Sequence, residues 1–225
     1  MYNSIGPQRY LNVFTWLFDV KSFNKKELTN GSAYFCNMQS EWFKDWFNTS
    51  YYHLLYSHRD ETEANKFINN LLNHLQPSQS SKMLDLACGR GRHARFLAQH
   101  GFEVTGVDLS EASIAFAKSH SEENPEFFVQ DMRIPCRILY FNYVFSFFTS
   151  FGYFKNMRNN DKVLEAVNKS LVLGGTYVLD YLNVSLALKN IHTTQVIEES
   201  GILFETRKLE NRMVVASIHR VIARP

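Results

Sequence analysis

Met83-Leu84-Asp85-Leu86-Ala87-Cys88-Gly89-Arg90-Gly91-Arg92-His93 is the stretch that decides the fold. Met83 to Leu86 is a short apolar run bearing one acid, the mark of a buried strand. A glycine-bearing turn follows. Arg92 to His100 then has the pattern of a helix, with Ala94, Leu97 and Ala98 facing inward and Gly101 as its stop. Strand, glycine turn and helix together make a cradle at the carboxyl edge of a parallel sheet. There the backbone can approach a ligand closely, and the unbonded N–H groups of the helix start face it. Two more acids occupy equivalent places. Asp108 closes a strand predicted from Glu103 to Asp108, and Asp131 follows one from Phe127 to Gln130. Three strand ends each carrying an acid suit an adenosine-containing cofactor.

The flanking sequence keeps the same rhythm. Ser110 is placed to cap the next helix, with Glu111 in its first turn. Phe141 to Phe147 is a fourth strand. Val163, Leu164, Val167 and Leu171 mark a helix stopped by Gly174-Gly175, and Thr176 to Leu182 is a fifth strand. Upstream, Ala64, Phe67, Ile68, Leu71, Leu72 and Leu75 recur at helical spacing up to Pro77. Alternating strands and helices predict an α/β fold, a Rossmann-like sandwich on a parallel sheet. The end of the chain changes character. Ile202 to Thr206 and Met213 to Ile222 flank the polar turn Glu210-Asn211-Arg212 and predict an antiparallel hairpin. Residues 1–37 show no sustained period and are expected to be an extension. The domain is expected over 38–225, with its core at 78–183 and the hairpin at 202–222.

Composition narrows the function. The 225 residues are 45% hydrophobic and 15% aromatic, enough to bury a sizeable core. With 24 basic against 22 acidic residues the formal charge is +2, which gives no electrostatic footprint for nucleic acid. Cys36, Cys88 and Cys136 are far apart and odd in number, so neither a disulfide framework nor a metal site is expected. A reducing cytoplasm is the simplest home. The apolar run Tyr10 to Val20 is too short and interrupted to span a bilayer and lacks a signal-peptide start, so no membrane association is expected.

Gly89, Gly91 and Ala94 also match the GxGxxA form of a dinucleotide fold. Asp85 and Asp131 favour S-adenosylmethionine (SAM) instead. A carboxylate at Asp85 suits the ammonium of SAM's methionine part and would repel a pyrophosphate. Asp131 suits an adenine amino group, with Met132 as a hydrophobic wall. Asp108 fits either cofactor through ribose hydroxyls.

These residues resemble a known family. LDLACGRGRH at Leu84 to His93, VTGVDLS at Val104 to Ser110, QDMR at Gln130 to Arg133, FTSFGYF at Phe148 to Phe154 and GGTYVLDYLN at Gly174 to Asn183 are similar to motifs of class I SAM-dependent methyltransferases. The likeness is to small-molecule enzymes such as glycine/sarcosine N-methyltransferases and deoxyaminosugar N,N-dimethyltransferases. It implies that Asp85, Ala87 and Gly89 contact the methionine part, with Cys88 and Gly91 in the same turn. It also implies that Asp108 and Leu109 contact ribose and adenine, that Asp131 and Met132 contact adenine, and that Phe147 lies near the sulfonium. Ala87 replaces the first glycine of the commonest motif, and Asn142 stands where an Asp is frequent. Members usually continue past the hairpin with a helix and two final strands, whereas this sequence stops at Pro225. That departure bears on substrate binding more than on cofactor binding.

Around this core, Tyr51, Tyr52, Tyr56, His58 and Arg59 form a candidate helical lid, with Arg59 or Tyr56 near the SAM carboxylate and Tyr52 near the methyl group. The loop Thr149-Ser150-Phe151-Gly152-Tyr153 follows the fourth strand, where substrates bind in this architecture, so Thr149 and Tyr153 are candidate acceptor residues. His93 is expected to be structural. The hairpin is expected to roof the acceptor pocket and to offer a homodimer contact. The expected activity is methyl transfer from SAM to a small-molecule N or O nucleophile. A SAM-binding protein without catalysis and an NAD(P)-dependent oxidoreductase are the alternatives.

Overall fold

The computed structural model describes residues 42–56, 61–148, 150–154, 156–180, 194–199, 202–209 and 213–217. They fall into two compact units. One comprises Phe43–Thr49 and Ser57–Tyr181; the other holds Ser50–Tyr56 and the chain from Leu182 onward.

The larger unit is built on five parallel strands: β1 (Lys82–Leu86), β2 (Glu103–Asp108), β3 (Glu126–Val129), β4 (Phe141–Ser146) and β5 (Leu171–Leu179). Their spatial order is β3-β2-β1-β4-β5, so the winding reverses between β1 and β4. In open α/β sheets a crevice opens at that point, outside the carboxyl ends of the strands. Asp85 pairs in register with Gly106 of β2 on one side and Phe145 of β4 on the other. With neighbours on both sides, β1 buries Met83 to Leu86 completely, which is why it is a continuous apolar run broken by one functional acid.

Helices α1 (Trp42–Phe47), α3 (Glu61–Leu75), α4 (Arg92–Gln99), α5 (Glu111–Ser119) and α6 (Met157–Ser170) accompany this sheet. α3 packs on α4, α4 on β1 and β2, α5 on β2 and β3, and α6 on β5. Ala64, Phe67, Ile68 and Leu71 are the buried stripe of α3, as their spacing predicts. Phe67, Ile68 and Leu71 meet Met83, Leu97, Val104, Phe145 and Phe147 in one core, where each large side chain stabilises by ~1.5–3 kcal/mol. Ser110 caps α5 by accepting from Ser113 N at 3.1 Å. Gly101, at φ +89°, follows α4 as predicted.

Two expectations are corrected. The helix before β5 does not run to Gly174-Gly175; it ends at Ser170, and Leu171 already belongs to β5. The amides of Leu139 and Tyr140 donate to the carbonyls of Lys169 and Ser170, both at 2.9 Å, so the last helical carbonyls are taken by the chain entering β4. β5 then pairs Leu171 with Phe141 and Thr176 with Tyr143. The surplus residues bulge out, and Gly174 supplies the φ of +78° that the bulge requires. Leu164, one of the residues that marked this helix, is 45% exposed, because Asn160, Val163, Ala166, Val167 and Ser170 form the buried face.

The smaller unit contains α2 (Ser50–Leu55) and an antiparallel sheet β6-β7-β8: Thr194–Glu199, Ile202–Leu209 and Met213–Ser217. β7 and β8 are the predicted hairpin, closed by the Leu209↔Met213 pair around Glu210-Asn211-Arg212. β6 was not anticipated. Its six residues, TQVIEE, hold two adjacent apolar side chains and no alternation, so its pairing with β7 decides its form. α2 packs on β6. Residues 1–37 lie outside the described residues. Among the described residues, no helix is long and apolar enough to cross a membrane.

Candidate functional site

The carboxyl ends of β1, β2 and β3 bring the three predicted acids to one edge. Asp85 is 1% exposed. Burial, together with the nearby charge of Asp108, pushes its carboxyl up to about 7, against the opposing effects of an Ala94 backbone hydrogen bond and the Arg92 charge. Its Oδ2 is buried with no hydrogen-bond partner among the described residues. A buried acceptor left open costs free energy unless a ligand meets it.

The turn after Asp85 is held by backbone. Ala87 sits at φ +63°, an uncommon conformation for a side-chain-bearing residue and the one a glycine would take without strain. Cys88 N donates to Val107 O at 2.9 Å, and Gly91 N donates to Cys88 O at 3.0 Å. The two glycines differ in role. A Cβ on Gly89 would meet nothing within 4 Å, whereas one on Gly91 would strike the Phe127 ring. Gly89 therefore leaves open space at the crevice, and Gly91 permits packing beneath it. No side chain caps α4 at Gly91, and the Ala94 amide in its first turn hydrogen-bonds Asp85.

Asp108 ties β2 to this turn. Its Oδ2 accepts from Gly89 N and its Oδ1 from Ser110 N, both at 2.8 Å. Burial raises its pKa against these backbone hydrogen bonds. Each oxygen keeps acceptor capacity beyond one backbone bond, as ribose hydroxyls would require. Asp131 is differently placed. Arg133 donates from Nε to both of its oxygens at 2.9 and 3.0 Å, and the Arg133 guanidinium forms an ion pair with it at 2.5 Å. Burial pushes the Asp131 pKa up, but the Arg133 hydrogen bonds and charge, with Lys44, outweigh it, and the net shift is downward. Leu109 and Met132 are half-buried beside these acids.

Other candidates divide. Cys88 is buried, and burial followed by the charges of Asp85 and Asp108 pushes its thiol well above the ordinary range, which favours the neutral thiol as a packing group. Phe147 is 4% exposed, its ring 5.2 Å from Phe67 and 5.0 Å from His93. His93 is buried among these rings, consistent with a structural role. Tyr153 faces Phe47 at 5.5 Å, edge to face. Tyr52 and Tyr56 lie 5.0 Å apart in the smaller unit. Arg59 and Thr149 lie outside the described residues. Lys44 and Asn48 were not anticipated. Lys44 acts electrostatically on Asp131, and Asn48 accepts from Ser110 Oγ at 2.5 Å. More than sixty residues separate each pair in sequence, and no local pattern announces such a contact.

The donor set fits SAM. Asp85 offers an open, buried carboxylate oxygen for an ammonium, Asp108 offers acceptors for ribose, and Gly89 offers space for close approach.

Comparison with known proteins agrees with this geometry. Residues 83–175 match the family model described as a methyltransferase domain. A putative methyltransferase of Bacillus subtilis, YqeM, is 42% identical over 86 residues, covering 37% of this chain and 33% of that protein. The chain thus spans about a third of that relative's length. A SAM-dependent methyltransferase from Clostridium acetobutylicum superposes with a TM-score of 0.57 at 19% identity, over 70% of this chain and 65% of that one. SAM-bound CalS10, an amino pentose methyltransferase from Micromonospora echinaspora, gives 0.55 at 20% identity, over 71% and 69%. Residues 83–175 are thus similar to a methyltransferase domain, and the larger unit carries the Rossmann-like fold seen in SAM-dependent methyltransferases.

Proposed function

We propose that the chain transfers a methyl group from SAM to an amine or hydroxyl of a small molecule. The observation that carries this reading is the open Oδ2 of Asp85, buried at the point where the sheet reverses. It is a site for a cation and a poor neighbour for a pyrophosphate, which disfavours a nicotinamide dinucleotide.

SAM, when bound, supplies a methyl group already activated on a sulfonium. The protein's work is to bind, align and exclude water. Asp85 holds the ammonium, and the Ala87 to Gly91 turn passes beneath the methionine part. Asp108 and Leu109 hold the ribose and adenine, Asp131 and Met132 the adenine, and Phe147 screens the sulfonium from water. On this reading the acceptor enters by the loop after β4, Tyr153 and Thr149 are the residues proposed to orient it, and Tyr52, Tyr56 and Arg59 are further candidates for holding cofactor and acceptor. An acceptor amine that loses its proton before attack needs no protein base. CalS10 is an amino pentose methyltransferase, which makes aminosugars the first acceptors to try.

Titration calorimetry with S-adenosylhomocysteine, SAM and NADH tests the cofactor, and labelled SAM with amines, aminosugars and small hydroxy compounds tests the transfer. Tight NADH binding without SAM binding overturns the reading. SAM binding without transfer to any acceptor in the screen favours a binding protein without catalysis.

A further inference from the structure

β4 leaves the sheet through Ser146, Phe147 and Phe148, and the end of β5 lies beside it. Asp180 N donates to Ser146 O at 2.9 Å. Phe148 N donates to the Asp180 carboxylate, Oδ2, at 3.0 Å. Phe148 has a φ of +54°, which L side chains rarely adopt, and Ala87 of the cradle shares this feature. The left-handed turn aims the Phe148 ring back over the start of α4. There it stacks on His93, with centroids 5.0 Å apart and planes at 24°. The Arg92 guanidinium lies 4.9 Å from the same ring's centroid. Arg92 in turn acts electrostatically on Asp85. Contacts therefore run from Asp180, just past β5, to Arg92 at the start of α4, whose charge acts on the acid at the end of β1.

We propose that Asp180 is a positioning residue for methyl transfer: by holding Phe148 in its left-handed turn, it fixes the wall formed by Phe148, His93 and Arg92 between the methionine end of the cofactor site and the acceptor loop. The consequence for binding rests on the methyltransferase reading above. The linkage itself does not. Without the Asp180 acceptor the Phe148 amide loses its partner, the turn relaxes towards ordinary negative φ, and the ring leaves His93 and Arg92. The acceptor loop shares the anchor, because Ser150 Oγ donates to Phe147 O at 2.7 Å one residue before the turn.

The test uses the full chain with D180A, D180N and F148A. Calorimetry measures S-adenosylhomocysteine affinity, and NMR of the ligand-free protein follows the His93 ring resonances. D180A is expected to weaken affinity roughly ten-fold, the scale of one hydrogen bond to a charged group, and to move the His93 resonances. D180N keeps an amide oxygen for the Phe148 N–H and is expected to restore both to within about two-fold of the parent. F148A is expected to reproduce D180A. A merely structural role for Asp180 would lower the melting temperature while leaving the His93 resonances and the affinity of folded protein unchanged, and that result overturns the proposal. A D180N no better than D180A overturns it too, because charge and not acceptance would then matter. Should D180A fail to fold, an F148A with parental affinity and the affinity of D180N reduced overturns it, whereas weakened F148A sustains it. If the parent chain binds no S-adenosylhomocysteine, the methyltransferase reading fails separately, and the His93 resonances decide the linkage: movement in D180A sustains it, none overturns it.

Discussion

Phe127 places its ring in the space that Gly91 leaves by having no side chain: a Cβ on Gly91 would stand 2.4 Å from Phe127 Cζ. Gly106 cedes space to the same ring, since its Cβ would lie 2.6 Å from Phe127 Cδ1. The third strand is thus keyed into the cradle of the first through the second. Gly91→Ala must both adopt φ +75° and displace a buried ring. The expected loss is ~2–4 kcal/mol in urea denaturation. Phe127→Leu in the same chain should relieve part of the clash, so the double variant should lose less than the two single losses added. Strict additivity would show that the ring and the glycine do not meet.

Asp108 accepts from two backbone amides with the same two oxygens that are proposed to hold the ribose. Asp108→Ala leaves the amides of Gly89 and Ser110 without their acceptor. A stability loss of ~2–4 kcal/mol is expected, together with ~1–3 kcal/mol in S-adenosylhomocysteine affinity. Asp108→Asn keeps one accepting oxygen and should lose about half of each. Calorimetry showing unchanged affinity for the folded Ala variant would remove Asp108 from the cofactor site.

With Asp85 proposed as the site of the ammonium, cofactor binding is expected to depend on pH. Its folded pKa of about 7 lies above the unfolded value of 3.8, so the folded state binds the extra proton between them. The sign is that of a raised carboxylate. No penalty exists below pH 4, it grows as pH rises towards 7, and above 7 the full cost of a buried charge is present. Asp85→Asn should therefore stabilise the ligand-free protein at pH 8 and leave it unchanged at pH 4. A cation bound at Asp85 needs the ionised form, so S-adenosylhomocysteine affinity should rise from pH 6 to pH 8 with release of a proton. Calorimetry in buffers of different ionisation enthalpy measures that proton. Affinity flat across this range would place the ammonium elsewhere.

The strands that position the site were legible because burial forced their composition. β1 and β2 are enclosed on both sides, so their residues had to be apolar and their ends could be read from Asp85 and Asp108. The turn was legible through Gly89 and Gly91, although the packing role of Gly91 depends on Phe127, which is distant in sequence. β6 could not be read, since TQVIEE becomes a strand only by pairing with β7. The misplacement of the α6 end has a similar origin. Gly174-Gly175 looks like a helix stop, but the helix had already surrendered its carbonyls to Leu139 and Tyr140. Lys44 and Asn48 were invisible for the same reason, because only the tertiary fold brings the charge of Lys44 to bear on Asp131 and Asn48 to Ser110.

That last contact gives a further prediction. Ser110 Oγ has two tasks: it accepts from Ser113 N at the head of α5, and it donates to Asn48 Oδ1 just beyond α1. The hydroxyl can do both at once, being donor and acceptor together. Ser110→Ala should remove the cap and the tether and cost ~1–2.5 kcal/mol. Asn48→Ala should remove the tether alone and cost ~0.5–1.5 kcal/mol. If the Ser110–Asn48 bond holds in solution, the double variant loses no more than Ser110→Ala by itself, because the tether is already gone. A double-mutant cycle in urea measures the difference. Losses that add in full would mean that Asn48 stabilises the fold through some other partner, and that α1 is not fastened to the edge of β2 through Ser110.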